Sequence, residues 1–124
     1  MASNSVLLIE DFPEVRDVVS EILACYGYDV TLADNGYEAW EKVNVRPFDL
    51  VIADLGLPDM DGEEFFRKMR RNSIKTPVLL TTGVDMKKSR IKWDDFSNYR
   101  LLLKPFNISE IETAISELLE KKIA

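Results

Sequence analysis

Five short strand-like runs, separated by amphipathic stretches, constrain this chain more than any other feature. Val6-Leu7-Leu8-Ile9 is apolar at every position, so a strand there has to be covered on both faces. Phe48 to Ala53, Pro77 to Thr81 and Leu101-Leu102-Leu103 read as buried strands as well, and Asp29 to Ala33 as a further short one. Between the first two runs, Val15, Val18, Val19, Ile22 and Leu23 recur at helical spacing and predict one apolar face. Pro13 suits the first turn of that helix and Gly27 its end. Asn35-Gly36-Tyr37-Glu38 has the form of a capping box and opens a second helix through Val43. Asp61-Gly62-Glu63-Glu64 caps a third, with Phe65, Phe66 and Met69 inward. A short fourth helix, with Trp93 and Phe96 inward, is expected within residues 84–98. Asn107-Ile108-Ser109-Glu110 caps the last, whose stripe is Ile108, Ile111, Ile115, Leu118 and Leu119. Strands alternating with helices in this way imply an α/β fold, a parallel sheet with helices on both faces. At 124 residues the expectation is a single domain, residues 1–124, able to bury a core unaided.

Composition removes several chemistries. The chain has no histidine, which excludes histidine-based general catalysis, Ser-His-Asp chemistry and the common histidine-containing zinc sites. A net charge of −6 argues against direct nucleic-acid binding. Cys25 is the one cysteine; it allows no internal disulfide, suits a reducing compartment, and reads as a small buried residue on the first helix. No leader-like N-terminus and no apolar run of about 18 residues is present, so a cytoplasmic location without a membrane partner is expected.

In open parallel sheets, ligands sit beyond the C-terminal ends of the strands. The polar residues gather there. Glu10 and Asp11 follow the first strand, Asp54 the third, Thr82 the fourth and Lys104 the fifth. Each alone is an ordinary cap, turn or surface residue; their coincidence at four strand ends carries the reading. Converging carboxylates repel unless a cation joins them, and Mg²⁺ suits a few carboxylates plus waters. Lys104 adds a positive charge and Thr82 a hydroxyl donor. A carboxylate is a competent nucleophile for phosphoryl transfer, which needs positioning and charge neutralisation more than a base.

With these residues in view, the chain resembles the receiver domains of bacterial two-component response regulators over nearly its whole length. The resemblance rests on Glu10-Asp11, on Asp54-Leu55-Gly56-Leu57-Pro58-Asp59-Met60-Asp61-Gly62, on Thr82-Gly83 and on Lys104-Pro105-Phe106. From Asp11 these motifs are spaced 43, 28 and 22 residues apart. It implies a flavodoxin-like doubly wound (βα)5 sandwich of strand order 2-1-3-4-5. It also implies that Asp54 is the phosphoacceptor, that Glu10, Asp11, Asp54 and the Gly56 carbonyl hold Mg²⁺, and that Lys104 and Thr82 bind the phosphoryl group. A cis peptide before Pro105 is expected on the same ground. The implied donor is a phosphohistidine on a histidine kinase or phosphotransfer protein. The implied readers are a downstream protein or an output domain not in this chain, and a homodimer through the fourth helix, fifth strand and last helix.

The chain departs from that pattern in two places. Leu101 stands where receivers carry a Tyr or Phe that turns inward on activation, with Tyr99 as the candidate substitute. Ser97-Asn98 stands where a Gly-Ala pair is common. Lys87, Lys88, Arg90 and Lys92 read as a solvated helix face. Two other functions fit the architecture less well. A haloacid-dehalogenase-type phosphatase would need an Asp at position 56, which is Gly56. A phosphorylation-independent interaction module would usually have lost Asp54, Lys104 or the acidic pair.

Overall fold

The computed structural model describes residues 4–57, 59–60, 62–83 and 98–123, the last four by backbone alone. The expected fourth helix, with Trp93, Phe96 and the basic cluster, lies outside the described residues, as do Pro58 and Asp61. The elements in chain order are β1 (Ser5–Ile9), α1 (Pro13–Cys25), β2 (Asp29–Ala33), α2 (Gly36–Val45) and β3 (Leu50–Asp54). They continue with α3 (Gly62–Arg71), β4 (Val78–Thr82), β5 (Tyr99–Leu103) and α4 (Ile108–Ile123). The strands form one parallel sheet of order β2-β1-β3-β4-β5, the expected doubly wound arrangement.

Alternation along the strands divides the core in two. Val6, Leu8, Leu50, Ile52, Leu79 and Leu102 face α1 and α4, where Val19, Leu23, Ile111, Ile115 and Leu118 cover them. Leu7, Ile9, Val51, Ala53, Val78 and Leu80 face α2 and α3, where Ala39, Phe65, Phe66 and Met69 cover them. Both faces of the central strands are dry, which is why their sequences are apolar throughout.

Three sequence expectations are corrected. Val18 and Ile108 are each 56% exposed. Val18 sits about 100° around α1 from the buried Val19, and Ile108 is the first residue of α4, ahead of the turn that meets the sheet. Cys25 is exposed rather than buried, because two residues beyond the inward Leu23 the helix has turned about 200°. Smaller shifts lie at the ends of elements. α2 runs on to Val45, β3 spans Leu50–Asp54, β4 ends at Thr82 and β5 starts at Tyr99.

The helix ends follow local chemistry. Asn35 Oδ1 accepts the Glu38 N–H at 2.8 Å, and Asn107 and Glu110 exchange bonds at 2.8 and 3.2 Å. α1 closes on Gly27 at φ 83°, with Gly27 N–H donating to Ala24 O and Tyr28 N–H to Leu23 O. That is the Schellman pattern, and Tyr28 packs in the same cluster as Leu23. α3 closes in the same way, with Ser73 N–H to Arg70 O and Ile74 N–H to Met69 O, but its left-handed residue is Ser73 at φ 61°.

Two glycines carry the packing near the sheet's C-terminal edge. A Cβ on Gly62 would lie 2.6 Å from the Asp54 carbonyl oxygen and 2.9 Å from Leu55 Cα, so α3 can start directly against the end of β3 only with glycine. A Cβ on Gly36 would lie 2.5 Å from Met60 Cγ. Above that contact, Asp59 accepts the Gly36 and Tyr37 N–H groups at 2.8 and 2.9 Å, so the loop after β3 caps α2.

Two substitutions test these geometries. Ser73→Gly removes a left-handed penalty of roughly 1–2 kcal/mol and adds about 0.5–1 kcal/mol of unfolded-state entropy; a net gain of about 0.5 kcal/mol in urea unfolding is expected. Gly62→Ala gains about 1 kcal/mol of helix propensity but drives its methyl group into rigid backbone. A net loss of about 2 kcal/mol by the same measurement is expected, and an unchanged midpoint would contradict the close approach.

Candidate functional site

The C-terminal ends of β1, β3, β4 and β5 bring the predicted residues to one edge of the sheet. Ile9 is paired with Ala53, so Glu10 and Asp54 leave their strands at the same level. Alternation puts Glu10 in step with Leu8, Asp54 with Ile52 and Lys104 with Leu102, all on the α1–α4 face. The Lys104 N–H donates to Thr82 O at 2.7 Å, which carries the β4–β5 register one residue past β5.

Lys104 bridges the carboxylates. Its Nζ donates to Asp54 Oδ2 at 2.6 Å and to Glu10 Oε1 at 3.1 Å. The other Asp54 oxygen, Oδ1, accepts the Gly56 N–H at 2.9 Å, and Glu10 Oε2 accepts the Phe12 N–H at 3.3 Å. Side-chain exposure is 4% for Glu10, 12% for Asp54 and 23% for Lys104. Burial pushes the Glu10 carboxyl above the usual carboxylate range, with the Asp54 charge adding to it and the Lys104 ammonium opposing it. Burial pulls the Lys104 ammonium down, but its bonds to Asp54 and Glu10 outweigh that and leave its pKa raised.

Carboxylate oxygens of Glu10, Asp11 and Asp54 all lie within 4.8 Å of one another. Among the described residues, the Lys104 ammonium is the positive charge paired with this cluster. The donor set is all oxygen and carries excess negative charge, which fits a hard divalent cation better than a thiophilic one. Glu10, Asp11, Asp54 and the carbonyl of Gly56, two residues beyond Asp54, are the groups that could hold it.

The other expected residues fall out differently. Thr82 is 1% exposed and ends β4, but alternation sets its side chain in step with Leu80, on the α2–α3 side. The Lys104–Pro105 peptide is cis, as expected. Leu101 is opposite Leu80 and packs in the α2–α3 cluster. Tyr99 is opposite Val78, at the far end of β5, with its ring 5.8 Å from that of Phe66. Four residues of strand, about 13 Å, separate it from the site end, so it does not stand in for the aromatic missing at 101. Two residues escaped the sequence reading. Asp59 was seen only as part of a motif, and nothing in the sequence tells that its carboxylate caps a helix from another unit. Partial burial pushes that carboxyl up, but the Gly36 and Tyr37 N–H groups outweigh it and hold its pKa below the usual value. Thr81 was read as an ordinary strand residue, yet it is 4% exposed and lies opposite Asp54.

Comparison with known proteins agrees with this geometry. The family model described as the response regulator receiver domain matches residues 6–116. The chain belongs to that family. As a receiver domain it is 34% identical over 119 residues to the probable transcriptional regulator ycf29 of Porphyra purpurea. That match covers 94% of this chain and 57% of the relative, so the receiver spans little more than half of that protein's length. A solved CheY-like receiver domain from Methanospirillum hungatei superposes with a TM-score of 0.87 at 25% identity, covering 97% of this chain and 96% of that one. The response regulator TrrA of Thermotoga maritima, solved in complex with Mg²⁺ and BeF, superposes with a TM-score of 0.81 at 28% identity, covering 94% and 99%. Among the described residues, no helix is long and apolar enough to cross a membrane.

The Lys104 bridge has a defined pH signature. Its folded pKa is raised above the ordinary value of about 10.4. The bridge therefore contributes fully below that pH and is lost as pH rises through the folded value. Lys104→Met is expected to destabilise the receiver by about 1–2 kcal/mol at pH 7, between the surface and buried limits. The difference from wild type should shrink above about pH 10.5 in urea titrations; a constant difference up to pH 11.5 would contradict it.

Proposed function

We propose that this receiver domain accepts a phosphoryl group on Asp54 from a phosphohistidine of another protein or domain, in a Mg²⁺-dependent reaction, and that the phosphoryl group biases a protein-interaction surface. The observation that carries the reading is the Lys104 ammonium held between Asp54 and Glu10, with Asp11 in the same carboxylate cluster. The donor is external because the chain has no histidine. The Mg²⁺–BeF complex of TrrA, a similar receiver, supports the choice of ion.

In this reading, an Asp54 carboxylate oxygen attacks phosphorus as the P–N bond to the donor imidazole breaks, and the imidazole leaves with that electron pair. When bound, Mg²⁺ neutralises charge on the phosphoryl oxygens. Glu10, Asp11, Asp54 and the Gly56 carbonyl are the groups that would hold the ion. Lys104 exchanges one of its carboxylate contacts for a phosphoryl oxygen and so follows the new charge. The Gly56 N–H, already on Asp54 Oδ1, orients the nucleophile. Thr82, which ends β4 with its side chain toward α2 and α3, would have to turn its hydroxyl toward a phosphoryl oxygen to contact it. The domain's chemistry is confined to its own phosphorylation and hydrolysis. We take the whole chain as one receiver unit in a cytoplasmic pathway, and its reader as a downstream protein or an output domain.

Incubation with acetyl phosphate and Mg²⁺, followed by intact-mass measurement, tests this. One added phosphoryl group is expected, absent from Asp54→Asn and from protein held in chelator. If neither acetyl phosphate nor beryllofluoride with Mg²⁺ modifies the site, the domain is a phosphorylation-independent interaction module instead.

A further inference from the structure

Asp59 has no part in the chemistry above, yet it joins the loop after β3 to α2. Its two oxygens accept the Gly36 and Tyr37 N–H groups at 2.8 and 2.9 Å. These are the first two residues of α2, whose N–H groups have no partner within the helix. α2 already has its own cap, since Asn35 Oδ1 accepts the Glu38 N–H at 2.8 Å. Asp59 therefore adds a second cap from another segment, a full negative charge at the positive end of the helix. Beside it, the Met60 side chain lies against Gly36.

The other end of the same loop is tied to Asp54. The Gly56 N–H donates to Asp54 Oδ1 at 2.9 Å, and the Leu55 N–H to Thr81 O at 2.9 Å. The Gly62 N–H returns to Leu55 O at 3.0 Å and closes the loop at its base. Gly56 is exposed, and three residues, at most about 11 Å of chain, separate it from Asp59. Leu57 between them packs in the α2–α3 cluster, and Asp59 supplies the hydrogen bonds that fix the direction of the loop.

We infer that Asp59 is a positioning residue for the Gly56 carbonyl: by fastening the loop to α2, it sets where that carbonyl meets the ion. The consequence for metal binding rests on the Mg²⁺ reading above. A carbonyl ligand has no side chain to adjust, so its aim is the aim of its backbone, and that backbone is held at Asp54 on one side and at α2 on the other. Groups that orient a metal ligand from behind affect affinity by about 10-fold or more.

Three variants and two measurements test this. Asp59→Ala removes both acceptor oxygens, Asp59→Asn keeps one, and Asn35→Ala removes the cap that α2 has of its own while leaving the loop untouched. Calorimetric titration with Mg²⁺ is expected to show binding weakened about 10-fold in Asp59→Ala, an intermediate loss in Asp59→Asn and wild-type affinity in Asn35→Ala. Amide exchange followed by NMR on the metal-free proteins is expected to be faster at Gly56 in Asp59→Ala and unchanged there in Asn35→Ala. An Asp59→Ala variant with wild-type affinity, or with wild-type exchange at Gly56, overturns the inference. An equal loss of affinity in Asn35→Ala also overturns it, because the stability of α2 would then account for the effect. If wild type takes up no Mg²⁺, the metal reading fails instead, and exchange at Gly56 still decides whether Asp59 positions that residue.

Discussion

The ammonium of Lys104 between Asp54 and Glu10 is the interaction on which the site depends. Two largely buried carboxylates, 12% and 4% exposed, repel each other, and the positive charge between them offsets that repulsion. That charge comes from the end of β5, which pairs with neither β3 nor β1; β4 lies between. The bridge therefore reaches across β4, and it needs the registers of β1–β3, β3–β4 and β4–β5 to be right at once. A one-residue slip in any of them would move an acid or the lysine to the other face of the sheet. The bond from Lys104 N–H to Thr82 O extends the β4–β5 pairing one residue further, to the lysine itself. Among the described residues, the excess of acid over base that remains could hold a divalent ion.

The loop after β3 shows how backbone constraints serve this edge. Asp54 is both the last residue of β3 and the backbone against which α3 starts, and Gly62 permits that contact by having no Cβ. Asp59 and Met60, in the same loop, lie on the first residues of α2. One short segment therefore links the candidate phosphoacceptor to the starts of two helices. A change in charge at Asp54 acts on a segment already tied to both, which is the kind of mechanical continuity a switch requires.

The two faces of the sheet have different parts. Glu10, Asp54, Lys104 and Thr81 alternate onto the α1–α4 face, whereas Thr82, Leu101 and Tyr99 alternate onto the other. Leu101, at the position where the resemblance leads one to expect an aromatic, packs among apolar neighbours opposite Leu80. Tyr99 is held at the remote end of β5 by Phe66. Among the described residues of β5, no aromatic ring lies at the end of the strand beside Thr82.

Much of this was legible in the residues alone. Buried-type runs alternating with amphipathic stretches determine a parallel α/β sheet, because only a strand covered on both faces can be apolar at every position. Strand-end chemistry then determines which residues can meet, since a parallel sheet brings all its C-terminal ends to one edge. Glu10, Asp11, Asp54 and Lys104 were found in that way. Tertiary structure decided what depends on distance and rotation. It turned Val18 and Cys25 outward, because they lie about 100° and 200° around α1 from the inward Val19 and Leu23, and Ile108, because it precedes the turn of α4 that meets the sheet. It set the Asp59 carboxylate on α2, a contact between segments 22 residues apart that no local pattern records. It also placed the buried Thr81 opposite Asp54, a pairing that only the strand register sets.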